Sequence, residues 1–237
     1  MSKMLTIGIT QGDSNGIGYE VIIKALSDAR VLDMFVPVLY GSSKFFGLNK
    51  KLIQTAEQLS TNVIASVNDA KAKRVNIINC VPDSFSIEFG QATKDGAAAA
   101  FASLKAAVAD LRSGAIDALV TAPFNKHSMA DAGFEFAGHT EYLESQFPGS
   151  EGLMFMCSER LKVGIVTNHT PLAQVASTLT PELILAKLRV MNDSLKRDFS
   201  QEKPRIALLG LNPHAGDGGA LGREEIEIIA PAIEAAM

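Results

Sequence analysis

A chain of 237 residues, 47% hydrophobic and 20% charged, can bury a large core as one big domain or two modest ones. Its net charge of −4 gives no electrostatic reason to expect nucleic acid or an anionic membrane as partner, and no apolar run is long enough to span a bilayer. The start, MSKMLTIGIT, lacks the apolar stretch and cleavage site of a secretory signal. Cys80 and Cys157, far apart and each following an apolar run, read as buried free thiols in a reducing compartment, so a cytoplasmic protein is predicted.

In chain order, Leu5–Thr10 is a β-branched run that stops at Gln11-Gly12-Asp13 and predicts a strand. Gly16–Ala29 carries Ile17, Val21, Ile22 and Leu26 at helical spacing, so the opening unit is strand, glycine loop, helix. Phe35–Tyr40 predicts a second strand, and Gly41-Ser42-Ser43 caps a helix over 44–55. Val75–Val81 is another β-rich run. Thr93–Arg112 predicts a long helix with Phe101, Leu104, Val108 and Leu111 on one stripe, ended by Gly114, after which Ile116–Thr121 predicts a strand.

The second half repeats this rhythm, with strands predicted over Gly152–Cys157 and Lys162–Thr167. Thr180-Pro181-Glu182 is a helix start made of an N-cap threonine, a first-position proline and a first-turn acid. Ile184, Leu188, Met191 and Leu195 line its apolar face. Arg205–Gly210 reads as a buried strand, and Glu224–Met237 as a helix with Ile226, Ile229 and Ile233 inward. Strands alternating with helices predict an α/β fold with a largely parallel sheet, its seam near Thr121–Lys126.

Between the last predicted strand and helix lies LNPHAGDGGALGREE, residues 211–225, with Gly216, Gly218, Gly219 and Gly222 around His214 and Asp217. Such a loop either brings backbone close to a ligand or is simply a tight turn with a solvated histidine. Of the four histidines, His169 and His214 directly follow predicted strands, which would set both imidazoles at the carboxyl edge of one sheet. Two neutral imidazoles there would suit a divalent metal, although their separation in sequence is equally that of unrelated loop residues. Gly12–Gly18 resembles an anion-cradling turn but is neither G-x-G-x-x-G nor a Walker loop, and a structural turn is the simpler reading. Asn125-Lys126-His127 places a cation beside a strand end, for a phosphate, a carboxylate or water alone.

Taken together, TQGDSNGIGYE, TAPFNKHSM, GHTEYL, TNHTPL and GLNPHAGDGGALGREE resemble, in order, the motif series of the 4-hydroxythreonine-4-phosphate dehydrogenase family. The resemblance implies a two-subdomain α/β/α fold similar to isocitrate and isopropylmalate dehydrogenases. Residues 1–122 would form a first subdomain, completed by a C-terminal segment. Residues 123–237 would form a second, carrying the substrate and metal loops. It implies NAD-dependent, divalent-metal-dependent oxidation and decarboxylation of 4-phosphooxy-L-threonine to 3-amino-2-oxopropyl phosphate, in pyridoxal phosphate biosynthesis. Carried over by motif, His169 and His214 would be metal ligands, for zinc or alternatively magnesium or cobalt. His139 and Thr140 would contact substrate, and Lys126 would hold an anionic group. No residue is assigned to proton transfer or to NAD.

The resemblance further implies a homodimer with its active site at the subunit interface. The family continues past Met237 with a Y-H-D-Q-G-L motif bearing a third metal histidine and most of the NAD site, so the present residues would hold two metal ligands of three. This chain departs from the usual GDPAGIGPE by reading GDSNGIGYE, which exchanges two prolines and should alter loop rigidity more than chemistry. Three alternatives stand beside this reading: a relative acting on threonate or erythronate 4-phosphate, a non-catalytic metal- or phosphate-binding remnant, and a metal-dependent hydrolase with Asp217 as base.

Overall fold

In the computed structural model, which describes residues 4–53, 56 and 58–237, the opening run folds as strand β1, Thr6–Thr10. Helices α1 (Gly18–Leu26) and α2 (Ala29–Met34) follow, then β2 (Val36–Gly41), α3 (Ser43–Lys51), β3 (Thr61–Ile64), β4 (Val75–Asn79), α4 (Lys94–Ser113) and β5 (Ala118–Thr121). All strand pairs in this sheet are parallel, in the order β3-β4-β2-β1-β5. The parallel α/β expectation holds. The end expected near Thr55 for the third helix lies outside the described residues.

Alternation along the strands builds two layers of packing. Ile9, Leu39 and Ile77 pack with Ile23 of α1 and Phe45 of α3, while Val38, Tyr40 and Ile116 pack with Ala107 of α4. The start of α4 is fixed by the Thr93 hydroxyl, which accepts from Gly96 N–H at 3.1 Å, and its end by Gly114 in the left-handed region. Leu104 and Val108 are fully buried, each worth about 1.5–3 kcal/mol of removed apolar surface. In α1 the inward residues are Tyr19, Ile22, Ile23 and Leu26, whereas Ile17 and Val21 are 59% and 51% exposed, which corrects half of the expected stripe. Apolar residues lie all round this helix, so its spacing alone does not choose a face.

One polar residue is built into the sheet itself. Asn76 of β4 is 0% exposed and donates to the carbonyls of Pro37 and Lys71 at 3.0 and 2.9 Å. Its carbonyl oxygen accepts from Asn62 Nδ2 and from Lys71 N–H at 3.0 and 2.9 Å.

After β5 come α5 (Lys126–Asp131) and α6 (His139–Gln146). Met129, Phe134 and Tyr142 of this stretch share a core cluster with Leu104 and Val108 of α4. By its contacts the chain divides into two compact units, 1–147 and 148–237, so residues 123–147 cluster with the first sheet.

In the second unit β6 (Met154–Cys157) and β7 (Lys162–Ile165) form an antiparallel pair. The short helix α7 (Val175–Thr178) precedes α8 (Pro181–Arg197), whose start is capped by Thr180 as predicted. A π-helical turn over Glu225–Ile229 runs into α9, Ala230–Ala236. Pro231 accounts for the widened turn, because a proline in a helix lacks its N–H and crowds the carbonyl four residues back, here that of Glu227. Ile184, Ile229 and Ala232 form the core of this unit, with Leu188, Leu208 and Ile233 against it.

Three expectations fail here, the first being that Ile226 faces inward, since it is 45% exposed. Arg205–Gly210 is not a strand: Ile206 and Leu208 are half-buried and Leu209 is 84% exposed, but β6 and β7 pair with each other and no ladder includes the segment. Period-two burial without a hydrogen-bonded neighbour does not make a strand. His169 and His214 therefore do not share the carboxyl edge of one sheet.

Candidate active site

The order of the first sheet places β1 between β2 and β5, with β5 arriving from the opposite edge. Ligands of open α/β sheets bind outside the carboxyl ends of the strands at such a reversal. The loops leaving β1 and β5 lock together there. Asp13 N–H donates to the Pro123 carbonyl at 3.0 Å, and Ala122 N–H donates to the Thr10 hydroxyl at 3.1 Å. Gly12 has φ +69°, and a Cβ on it would stand 2.4 Å from the Pro123 carbonyl oxygen, so only glycine fits.

The turn that follows is occupied by its own side chains. Asp13 accepts from Asn15 N–H at 2.9 Å. The Asn15 amide donates to Gln91 O and to the Thr93 hydroxyl, while its oxygen accepts from Glu88 N–H at 2.8 Å. Tyr19 is buried and donates to Gln11 Oε1 at 2.5 Å, and burial pushes its phenol well above the usual range. A carboxylate inside the turn and an amide already taken both favour the structural reading of Gly12–Gly18. Asn15 and Tyr19 thus act as cross-links between loops, a role their identity did not announce.

The loop after β5 positions the first predicted site residues. Asn125 caps α5 by accepting from Ser128 N–H at 3.1 Å, which sets Lys126 at the first helical position. Gly138 precedes α6, whose first two residues are His139 and Thr140, both half-buried. The His139 ring lies on Phe124 with centroids 4.1 Å apart and planes at 32°. A Cβ on Gly138 would stand 3.9 Å from Lys126 Nζ, so the ammonium lies beside the amino end of α6.

Burial, and then the Lys126 charge, hold the His139 imidazole below the ordinary histidine range, so it is neutral at pH 7. The corner therefore offers one cation, a helix start and a neutral imidazole, an arrangement suited to an anionic substrate group. The structure brings Lys126 close to His139, with Thr140 next along α6. Phe124, the platform under His139, escaped sequence reasoning although it sits two residues before Lys126. His127 is exposed on α5.

In the second unit His169 and His214 are both exposed, and both have non-glycine backbones in the left-handed region, at φ +46° and +52°. His214 opens a run of left-handed residues, with φ of 52°, 52°, 81°, 46° and 64° for His214, Ala215, Gly216, Asp217 and Gly218. Strain of this kind at side chains with ligand chemistry marks a candidate functional loop. Each exposed imidazole has the donor chemistry that a divalent ion takes. Among the described residues no group of three or more histidine, cysteine, aspartate or glutamate side chains is gathered.

The cysteines differ from expectation in part. Burial pushes the Cys80 thiol up to about 12, which leaves it inert, while Cys157 is exposed. Among the described residues no helix is long and apolar enough to cross a membrane.

A parallel sheet with ligand-suited loops after its strands, as in the first unit, is an architecture that α/β proteins use to bind small metabolites. Comparison with known proteins narrows this class. The family described as pyridoxal phosphate biosynthetic protein PdxA matches residues 33–237. A 4-hydroxythreonine-4-phosphate dehydrogenase of Bacteroides thetaiotaomicron is 42% identical over 231 residues, covering 97% of this chain and 63% of the relative. One of Aquifex aeolicus is 39% identical over 230 residues, covering 97% of this chain and 70% of the relative. The solved structure of a 4-hydroxythreonine-4-phosphate dehydrogenase from Klebsiella pneumoniae is similar at TM-score 0.85 and 32% identity, covering 99% of this chain and 70% of that one. The chain belongs to the PdxA family of pyridoxal phosphate biosynthesis. It spans about two thirds of the length of these relatives.

Proposed function

We propose that the chain carries the substrate and metal loops of an NAD-dependent oxidoreductase. This enzyme would oxidise and decarboxylate 4-phosphooxy-L-threonine to 3-amino-2-oxopropyl phosphate. The observation that supports this most is the Lys126–His139–Phe124 corner, occurring in a chain of this family. Lys126 and the amino end of α6 hold an anionic group of the substrate. The neutral His139 imidazole and the Thr140 hydroxyl hydrogen-bond to the substrate and fix its orientation, and Phe124 keeps the ring from turning away. His169 and His214 are two imidazole ligands of a divalent metal, with zinc, cobalt or magnesium as candidates. A bound metal would supply polarisation of the C3 hydroxyl, and NAD would supply the hydride acceptor. We assign no residue of this chain to NAD contact.

The same reading places the protein in the cytoplasm as a homodimer whose active site lies at the subunit interface, and it keeps a subdomain boundary near residue 122 for the assembled enzyme. The alternative substrates, threonate and erythronate 4-phosphate, share the phosphate and the vicinal carbon skeleton and would use the same corner.

The test is a substrate panel with the purified protein, following nicotinamide reduction and product identity. Turnover with the amino-acid phosphate supports the proposal, and turnover confined to the sugar-acid phosphates moves the substrate. Metal and phosphate binding with no turnover on any of them favours the non-catalytic reading. His139→Ala should raise KM or lower kcat by roughly tenfold or more while metal content is unchanged. Loss of metal in that variant would remove His139 from the substrate side.

A further inference from the structure

Glu225 makes contacts that its place at the start of a helix does not require. One carboxylate oxygen accepts from two successive backbone amides, Leu211 N–H at 2.8 Å and Asn212 N–H at 2.6 Å. The other accepts from Asn212 Nδ2 at 3.0 Å, and the same amide donates to Glu224 at 2.6 Å. That second oxygen also lies 2.9 Å from where a Cβ on Gly216 would stand, so Glu225 holds the entry of the loop and abuts its middle. These bonds hold its carboxyl below the usual carboxylate range.

Gly216 is the middle of the left-handed stretch His214–Gly218, three of whose five residues have a Cβ. Inside the loop, Ala215 N–H donates to Asn212 O at 3.1 Å and Leu221 N–H to Gly216 O at 3.0 Å. Backbone strain of this kind persists only where surrounding contacts over-determine it. The Glu225 carboxylate ties both the backbone and the side chain of Asn212, two residues before His214.

We propose that Glu225 is a positioning residue: it clamps the 211–222 loop so that His214 is held in the left-handed conformation from which its imidazole binds the divalent metal. This rests on the metal reading of His214 given above. Without the carboxylate, the amides of Leu211 and Asn212 lose their acceptor, the stretch relaxes toward ordinary backbone angles, and the imidazole leaves its place.

The experiment titrates Co2+ into the full chain, reading its visible absorption bands, and measures hydrogen exchange at the Leu211 and Asn212 amides. Glu225→Ala should weaken Co2+ binding at least about tenfold, the loss usual for a partner that orients a ligand, and should deprotect both amides. Glu225→Gln keeps an oxygen that accepts from both backbone amides but sets an NH2 against Asn212 Nδ2, and should recover part of the affinity with the wild-type absorption. Glu225→Asp keeps the charge but not the reach, and should bind several-fold more weakly. It decides the matter if the alanine variant does not fold. Wild-type affinity and spectrum in Glu225→Asp or in a folded Glu225→Ala, alongside weakened binding in His214→Ala, would overturn the positioning role. Unchanged binding in His214→Ala would instead remove the metal reading on which it rests.

Discussion

Replacing His214 by alanine is expected to leave the chain folded and to weaken divalent metal binding by about a hundredfold or more. Partners that merely orient a ligand are worth roughly 10–100-fold, and removing the ligand itself should exceed that. The side chain is exposed, so no core packing is lost. Glycine at the same position sharpens the test. His214 lies at φ +52°, where a residue with a Cβ is disfavoured by about 1 kcal/mol. His214→Gly should therefore be slightly more stable to urea than the parent while binding metal as poorly as His214→Ala. Stability and metal affinity moving in opposite directions would mean that the loop is strained for the sake of the imidazole. A glycine variant that keeps wild-type metal affinity would remove His214 from the ligand set.

Asn76→Ala is expected to destabilise the first unit, lowering stability by about 2–3 kcal/mol. The side chain is fully buried and serves three carbonyls, those of Pro37, Lys71 and Arg74, and one backbone amide, that of Lys71. The Pro37 carbonyl is the buried one of these partners, and a buried polar group left without a partner costs about 1–3 kcal/mol. Asn76→Asp should be no better, since it sets a buried negative charge against those carbonyls. Urea denaturation followed by circular dichroism measures both. A midpoint for Asn76→Ala within error of the parent would show that the network contributes nothing net.

What the sequence revealed follows from which forces act locally. β1, β2, β4 and β5 were legible because each is a β-branched run closed by polar or glycine residues. The starts of α3, α4 and α8 were legible because Ser42, Thr93 and Thr180 cap them from the adjoining chain. β3 went unseen because Thr61-Asn62-Val63-Ile64 is short and half polar. Arg205–Gly210 was misread because apolar composition is a property of the segment, whereas a ladder needs a neighbour. At the candidate site, the motif residues Lys126, His139 and Thr140 could be named in advance. Their meeting beside the start of α6, and the Phe124 platform beneath the imidazole, belong to packing. Glu225 was read only as part of a helix start, because the amides it serves lie 13 and 14 residues away along the chain.

The order of the first sheet also bears on how the chain is made. β1 is synthesised first but ends up interior, with β2 on one side and β5 on the other. Its second partner begins at Ala118, more than a hundred residues later. While the ribosome is still producing α4, β1 therefore presents an open edge of backbone amides and carbonyls, the kind of surface that pairs with other chains. The strand that closes this edge, β5, follows directly after α4, the helix that packs against β2 through Ala107.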